Sequence, residues 1–411
     1  MTSDSGGDAT AGGAATRSTA TGSTGPGTPA AGDFTAEQVA RGRALRRAQV
    51  PWALAGRLIG LGLTAGLGFS PAGAGLVQAV GEPLGGTRTA QVLAGTAALV
   101  LLGEAVRLPF TARVRVVRRR YGLVTQGWAG WAVDVLRGLL LGLVLALPAA
   151  YGLYALTAWS PHRWWLPAAG AAAALTVAMS FLFPLVVEPL FNRFHPMADG
   201  PLRTALLALA ERDAVAVREV LVADASRRTT ALNAYVSGLG ATRRIVAYDT
   251  LLATAEPREV ELVVAHELGH VKHRDVRNGT VLGALGAAAA VCLLGLLLGR
   301  EALLSAAGAA DAADPRSLPL LAACASLLGA LSGPLQCAVS RRIEARADRH
   351  ALDLTRDPEQ FIAMQRRLAV ANVADVDPPR ALQLLFGTHP SAARRIAAAR
   401  SWSGRERSAA G

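Results

Sequence analysis

The chain reads as a mainly α, polytopic membrane protein of about six spans, interrupted by a cytoplasmic α+β part that carries a small β-sheet. Three observations predict this. Of its 411 residues, 52% are hydrophobic and only 5% aromatic, and Leu, Ala, Val and Gly fill several stretches near the roughly 20 residues a helix needs to cross a bilayer. The arginines cluster beside those stretches, as in loops held on the cytoplasmic side. Between the fourth and fifth stretches the apolar runs give way to a mixed segment with strand and turn signals.

Residues 1–40, above all the first 33, are rich in Ser, Thr, Gly, Ala and Asp. They bury no core and are expected to be disordered, and they lack the basic start and apolar centre of a cleaved signal peptide. Residues 41–187 form an N-terminal membrane region with four spans, near Trp52 to Phe69, Ala90 to Phe110, Val135 to Leu156 and Trp165 to Val187. The first is the weakest, being Gly-rich and containing Arg57. Residues 188–279 form the cytoplasmic part. In it Pro201 to Asp213 reads as an amphipathic helix and Val217 to Ala223 as a strand. Leu232 to Val236 and Arg243 to Tyr248 read as a hairpin around Ser237-Gly238-Leu239-Gly240. Two further spans, Thr280 to Gly299 and Leu318 to Val339, occupy 280–339. Residues 340–411 read as helical, with a break near Asp375 to Pro379.

Arg41, Arg43, Arg46 and Arg47 precede the first span, Arg113 to Arg120 follow the second, and Arg341, Arg342 and Arg346 follow the sixth. The positive-inside tendency then puts both termini, the part from Glu188 to Gly279 and everything after Ser340 in the cytoplasm. The expected location is the plasma membrane, multi-pass, with the lipid bilayer as a partner. The net charge of +12 is almost all arginine, and Lys272 is the one lysine. Because those arginines flank apolar spans, no nucleic-acid partner is expected. Cys292, Cys324 and Cys337 all fall in apolar runs without paired spacing, so neither a disulfide framework nor a cysteine metal site is expected. Within the spans, Arg57 and Arg107 can snorkel to the interface, which leaves Glu104 as a candidate for lining an internal cavity.

The most specific signal is His266-Glu267-Leu268-Gly269-His270. Two histidines four apart on a helix share a face and can grip one zinc ion, and the intervening glutamate can take a proton from a zinc-polarised water. The helix is expected from Pro257, with Glu256, Glu259 and Glu261 suited to its positive end. Two ligands do not complete a catalytic site. Downstream, Glu344 and Asp348 stand four apart. The first can complete a His, His, Glu set and the second can accept the free N–H of a ligand histidine, but helices rich in Arg and Glu usually just meet water. His273 reads as a solvated or supporting residue, and His162, His195 and His350 read as surface histidines.

From about Arg118 to the C-terminal region the chain resembles the zinc metallopeptidases of the type-I CAAX prenyl endopeptidase family, which includes bacterial heat-shock membrane proteases. The matching segments are Arg120 to Gln126, Glu188 to Phe194, Asn233 to Gly240, Arg244 to Leu252, the His-Glu-x-x-His helix, Glu344 with Asp348, and Thr388 to Ser391 with Arg395 and Ile396. A histidine that often precedes the Asn-Ala segment is replaced by Ala231-Leu232. The resemblance implies a gluzincin-type catalytic part binding one Zn2+ through His266, His270 and Glu344, with Asp348 supporting a ligand and Glu267 as general base. It implies that His389 and Arg395 polarise the reacting oxygen or hold a substrate carboxylate. It implies that Asn233, Ala234 and Tyr235 pair with an extended peptide or protein substrate, lipidated or membrane-embedded. The readings that compete with CAAX-type processing are quality-control cleavage of membrane proteins, an inactive zinc-stabilised scaffold and a transporter. Glu267 argues against the scaffold, since a structural site has no use for a base, and the lack of repeat halves argues against the transporter.

Overall fold

A computed structural model describes residues 32–410 apart from Leu239. The expectation of disorder for the first 31 residues lies outside the described residues. Helix α1 (Ala36–Gly68) starts inside the segment assigned as disordered, with Thr35 and Gln38 closing a capping box. The boundary at residue 40 is therefore corrected. The reason is an anchor just before the helix: the Asp33 carboxylate, 1% exposed, is held by Arg366 and Arg400, and Phe34 is buried in the core of the C-terminal half.

Short helix α2 (Pro71–Gly81) precedes α3 (Arg88–Arg120), α4 (Trp128–Trp159) and α5 (Trp165–Leu182), which runs through a π turn into α6 (Glu188–Phe191). Strand β1 (Phe194–Pro196), helix α7 (Pro201–Arg212), strands β2 (Glu219–Ala223), β3 (Ala234–Ser237) and β4 (Arg244–Tyr248), and helices α8 (Asp249–Thr254) and α9 (Pro257–Lys272) follow. Then come α10 (Asp275–Leu298), α11 (Glu301–Ala306), α12 (Leu318–Thr355), α13 (Pro358–Ala371), α14 (Arg380–Phe386) and α15 (Ala392–Ala410).

Among the described residues six helices are long and apolar enough to cross a membrane. They are α1, α3, α4, α5, α10 and α12, and they overlap all six predicted spans. Their outer faces carry bare large apolar side chains, such as Leu331 at 76%, Leu335 at 70% and Val144 at 67% exposure, which only lipid makes tolerable. Glu104, expected to line an internal cavity, is instead met by Arg107 on the same helix at 2.5 Å. Helix α12 has 38 residues. At 1.5 Å per residue it reaches about 57 Å, well beyond the ~30 Å hydrocarbon layer. Its last turns therefore stand clear of the bilayer.

The sheet order is β1-β2-β4-β3, with β2 and β4 parallel and the outer pairs antiparallel. The β3–β4 hairpin is present as predicted. Gly238 enters its turn at φ +88, where a Cβ would also lie 2.5 Å from the Thr242 carbonyl oxygen. Strand β1 and helices α2 and α11 have no counterpart in the sequence reading. The sheet, α7, α9, α13 and α15 share one core, in which Leu262, Leu268, Phe361 and Ile396 are fully buried. Thr125 donates to the Ser226 carbonyl, and Asp134 pairs with Arg228 at 2.9 Å. These contacts dock the sheet onto the α3–α4 connection and fix it at one end of the helical bundle.

Candidate metal centre

Helix α9 takes its register from its start. Glu256 and Glu259 close a reciprocal cap around Pro257, and Glu259 is also paired with Arg367 at 2.5 Å. Val260, Val264 and Leu268 then bury one face, which turns His266 and His270 together toward the cleft. Their rings meet edge to face with centroids 4.9 Å apart. The ligand atoms of His266, Glu267 and His270 all lie within 4.8 Å of one another.

Helix α12 supplies the opposite wall. Glu344 Oε2 is 3.3 Å from His266 Nε2, and Glu344 Oε1 is 3.7 Å from His270 Nε2. The other ring nitrogens are engaged elsewhere: His266 Nδ1 is 2.9 Å from Asp348 Oδ1 and His270 Nδ1 is 3.0 Å from Asp275 Oδ2. A carboxylate accepts, so an Nδ1–H on each ring suits these two contacts and leaves Nε2 as the atom each ring can offer to a metal. Glu344 Oε2 is buried and, among the described residues, meets no partner in hydrogen-bond geometry, although His389 Nδ1 is 2.7 Å away. Two ring Nε2 atoms facing the Glu344 carboxylate, with each Nδ1 held on another carboxylate, fit a divalent metal with His, His, Glu ligands and an open position.

Electrostatics agree with that arrangement. Burial disfavours the cation at His266, but Asp348 and Glu344 outweigh it and raise its pKa to about 9, so the pull on a positive charge at this nitrogen is strong. Burial pushes the Glu267 carboxyl above its ordinary value, despite the two histidines beside it. Arg395 is buried too, which works against its charge, and Asp348 more than compensates.

A cavity of about 360 Å³ opens on the site and is lined by Asn233, His266, Glu267, Glu344, His389 and Arg395, among others. Ala234 and Tyr235 continue from Asn233 into β3, which is an edge strand and packs beside α9. Of the ten residues singled out by sequence, six thus line the cleft, His270 and Asp348 contact its lining histidine and glutamate side chains, and Ala234 lies in the core beneath it, whereas the Tyr235 side chain packs with Leu221, Ala223 and Val246 on the other face of the sheet. Arg395, expected to meet a reacting oxygen or substrate carboxylate, is committed to Asp348 through Nε at 2.8 Å and through Nη2. His389 is open to the cleft, with its side chain 61% exposed.

Three supporting residues escaped the sequence reading. Asp275 begins α10 and holds His270; Arg346 from α12 pairs with Asp275. Gln365 on α13 is buried against Arg395, with its amide oxygen 3.1 Å from Nη2 in the orientation that suits both groups. An acidic residue just past the end of the His-Glu-x-x-His helix was the available signal for Asp275. His350 corrects an expectation: it is not a surface residue but packs its Cβ against Gly269 and sets Nε2 3.0 Å from Asp213. His273 stacks edge-on against it at 5.6 Å.

Comparison with known proteins follows the same division of the chain. Residues 196–403 match Peptidase family M48, and residues 19–193 match the family described as CAAX prenyl protease N-terminal, five membrane helices. Among the described residues of that second range stand four span-length helices and the short α2. The metalloprotease YhfN of Bacillus subtilis (strain 168) is 31% identical over 303 residues, covering 72% of this chain and 70% of that one. A CAAX prenyl protease 1 homolog of Oryza sativa subsp. japonica is 31% identical over 182 residues, covering 44% of this chain and 43% of the relative. The crystal structure of S. mikatae Ste24p superposes with a TM-score of 0.80 at 21% identity, covering 90% of both chains. That last likeness is one of fold.

Proposed function

The chain belongs to peptidase family M48, and from that premise we propose that this membrane metallopeptidase is a zinc endopeptidase acting at the cytoplasmic face on C-terminal segments of lipidated or membrane-held substrates. The observation that carries the proposal is the convergence of His266 Nε2 and His270 Nε2 on the Glu344 carboxylate, with each histidine's Nδ1 on a second carboxylate. Borderline-soft zinc suits two imidazoles and one carboxylate. Held there, it supplies the Lewis acidity that acidifies a water and polarises a peptide carbonyl.

The protein's residues do the rest. Glu267, destabilised as an anion by burial, takes the proton of the attacking water and passes it to the leaving amine. The free edge of β3 from Asn233 to Val236 pairs with an extended substrate and holds the scissile carbonyl over the site. His389 faces the developing oxyanion from the open side. Arg395 acts through Asp348, fixing the His266 ring rather than touching substrate. The lipidated C-terminus comes from the CAAX prenyl protease 1 relatives, whose aligned region spans about two fifths of their length.

The purified full chain, offered a peptide ending in a farnesylated C-a-a-X box and the same peptide without the lipid, is expected to hydrolyse the lipidated form preferentially. Glu267→Gln is expected to retain zinc and lose roughly 10²–10⁴-fold in rate. Equal cleavage of both peptides would favour quality-control proteolysis. Full activity in Glu267→Gln would overturn the mechanism.

A further inference from the structure

A second cavity, of about 440 Å³, shares no lining residue with the first. It lies where α5 and α10 meet β3 and the last turn of α9. Its walls include Val177 and Phe181 from α5, Val281 from α10 and Val236 from β3; His270 from α9 borders it, its arginines are Arg243, Arg274 and Arg277, and among the described residues no Asp or Glu lines it.

Two features distinguish it from a packing defect. Phe181 and Val281, on span helices, are 53% and 52% exposed, so the apolar wall is open toward the lipid side. The side chains of Arg274 and Arg277 are exposed and, among the described residues, make no hydrogen bond or ion pair. Several other arginines beside the sheet and the site are committed: Arg228 to Asp134, Arg258 to Glu261, Arg346 to Asp275, Arg395 to Asp348. The first turn of α10 adds the positive end of a 24-residue helix on the same side.

We propose that this cavity binds one anionic phospholipid. Its acyl chain lies along Phe181 and Val281, and its phosphodiester is held by Arg274 and Arg277 at the first turn of α10. The order of the lining, apolar along the spans and cationic where they end, matches the order of groups in such a lipid. A neutral zwitterionic lipid offers the same chain but brings a cation of its own beside the arginines. The inference rests on the charge and lining of this cavity, which adjoins the proposed metal centre through His270 and the proposed substrate strand through Val236; its test reads lipid binding and not hydrolysis.

Native mass spectrometry of the full chain in neutral detergent, titrated with phosphatidylglycerol or with phosphatidylcholine of the same acyl chains, tests it. One phosphatidylglycerol is expected to be retained per chain, bound roughly tenfold or more tightly than phosphatidylcholine, and Arg274→Gln/Arg277→Gln is expected to remove that preference. Arg274→Lys/Arg277→Lys, which keeps the charge, is expected to preserve it. A matched pair on the α3 terminus, Arg118→Gln/Arg119→Gln, is expected to leave it intact, and unchanged unfolding midpoints identify folded variants. Equal binding of the two lipids would overturn the proposal. So would the same loss in both Gln pairs, which would mean general surface charge, or displacement of the lipid by inorganic phosphate alone.

Discussion

His266 and His270 are each oriented by a carboxylate that an arginine holds in turn: Asp348 with Arg395 for the first, Asp275 with Arg346 for the second. Asp275→Ala should therefore weaken zinc binding roughly 10- to 100-fold, as loss of a histidine's carboxylate partner does. Competition with a chromogenic chelator measures this, and an unchanged affinity would mean that His270 needs no orienting. The proposed base, Glu267, is expected to set the pH dependence. Glu267 has a pKa raised above its model-peptide value of 4.5 by burial, and only its ionised form accepts a proton. Activity should thus fall away as pH drops through that raised value, with the acid limb of kcat/KM above 4.5 and absent from any residual rate of Glu267→Gln. A limb at or below 4.5 contradicts the assignment. The proposed ligands His266 and His270 were legible because a four-residue spacing on a helix puts them on one face, whereas Glu267 and Glu344 were legible as parts of motifs. Asp275 and Arg346 were not, because they come from the start of one helix and the middle of another, and only tertiary packing joins them to His270.

Helices α9 and α12 approach closely enough at Gly269 that a Cβ there would lie 3.1 Å from His350 Cβ and 3.2 Å from Ala347 Cα. This contact holds the two halves of the site together. Gly269→Val should lower stability by about 1–3 kcal/mol through overpacking, seen as a lower apparent Tm of the purified protein, against the gain in helix propensity that replacing glycine otherwise brings. An unchanged Tm would show that the interface can part without loss. The span helices were legible from composition. The first looked weak for reasons the packing explains: Gly56 sits against Phe110, Gly68 lets α12 approach at Ala323 and Pro319, and Arg57 stacks on the Phe386 ring at 5.1 Å. Strand β1 could not be read, since three residues ending in Pro196 carry no periodicity and become a strand only by pairing with β2.

In the whole molecule the two halves of the site are separated in sequence by one out-and-back pair, α10 and the first part of α12. An even number of crossings returns Glu344 to the side on which α9 lies, and the arginine clusters argue that this side is cytoplasmic. Single cysteines introduced at exposed Glu82 and Ala310, in a background lacking Cys292, Cys324 and Cys337, should react with an impermeant reagent in intact cells. Cysteines at exposed Ser226 and Ala398 should not. External labelling at Ser226 and Ala398 together would reverse the orientation, and at one alone would break the shared site. The sequence carried the six spans in its hydropathy, but not the docking of the sheet onto the α3–α4 connection or the anchoring of Asp33 between α13 and α15, which depend on contacts between segments far apart in the chain. The central claim is that both halves of the chain hold one zinc. Zinc content per chain, measured by elemental analysis on purified wild type and Glu344→Ala, tests it most directly. The account predicts one zinc per wild-type chain and its loss from the folded variant. A folded Glu344→Ala protein that keeps a full equivalent of zinc would contradict it.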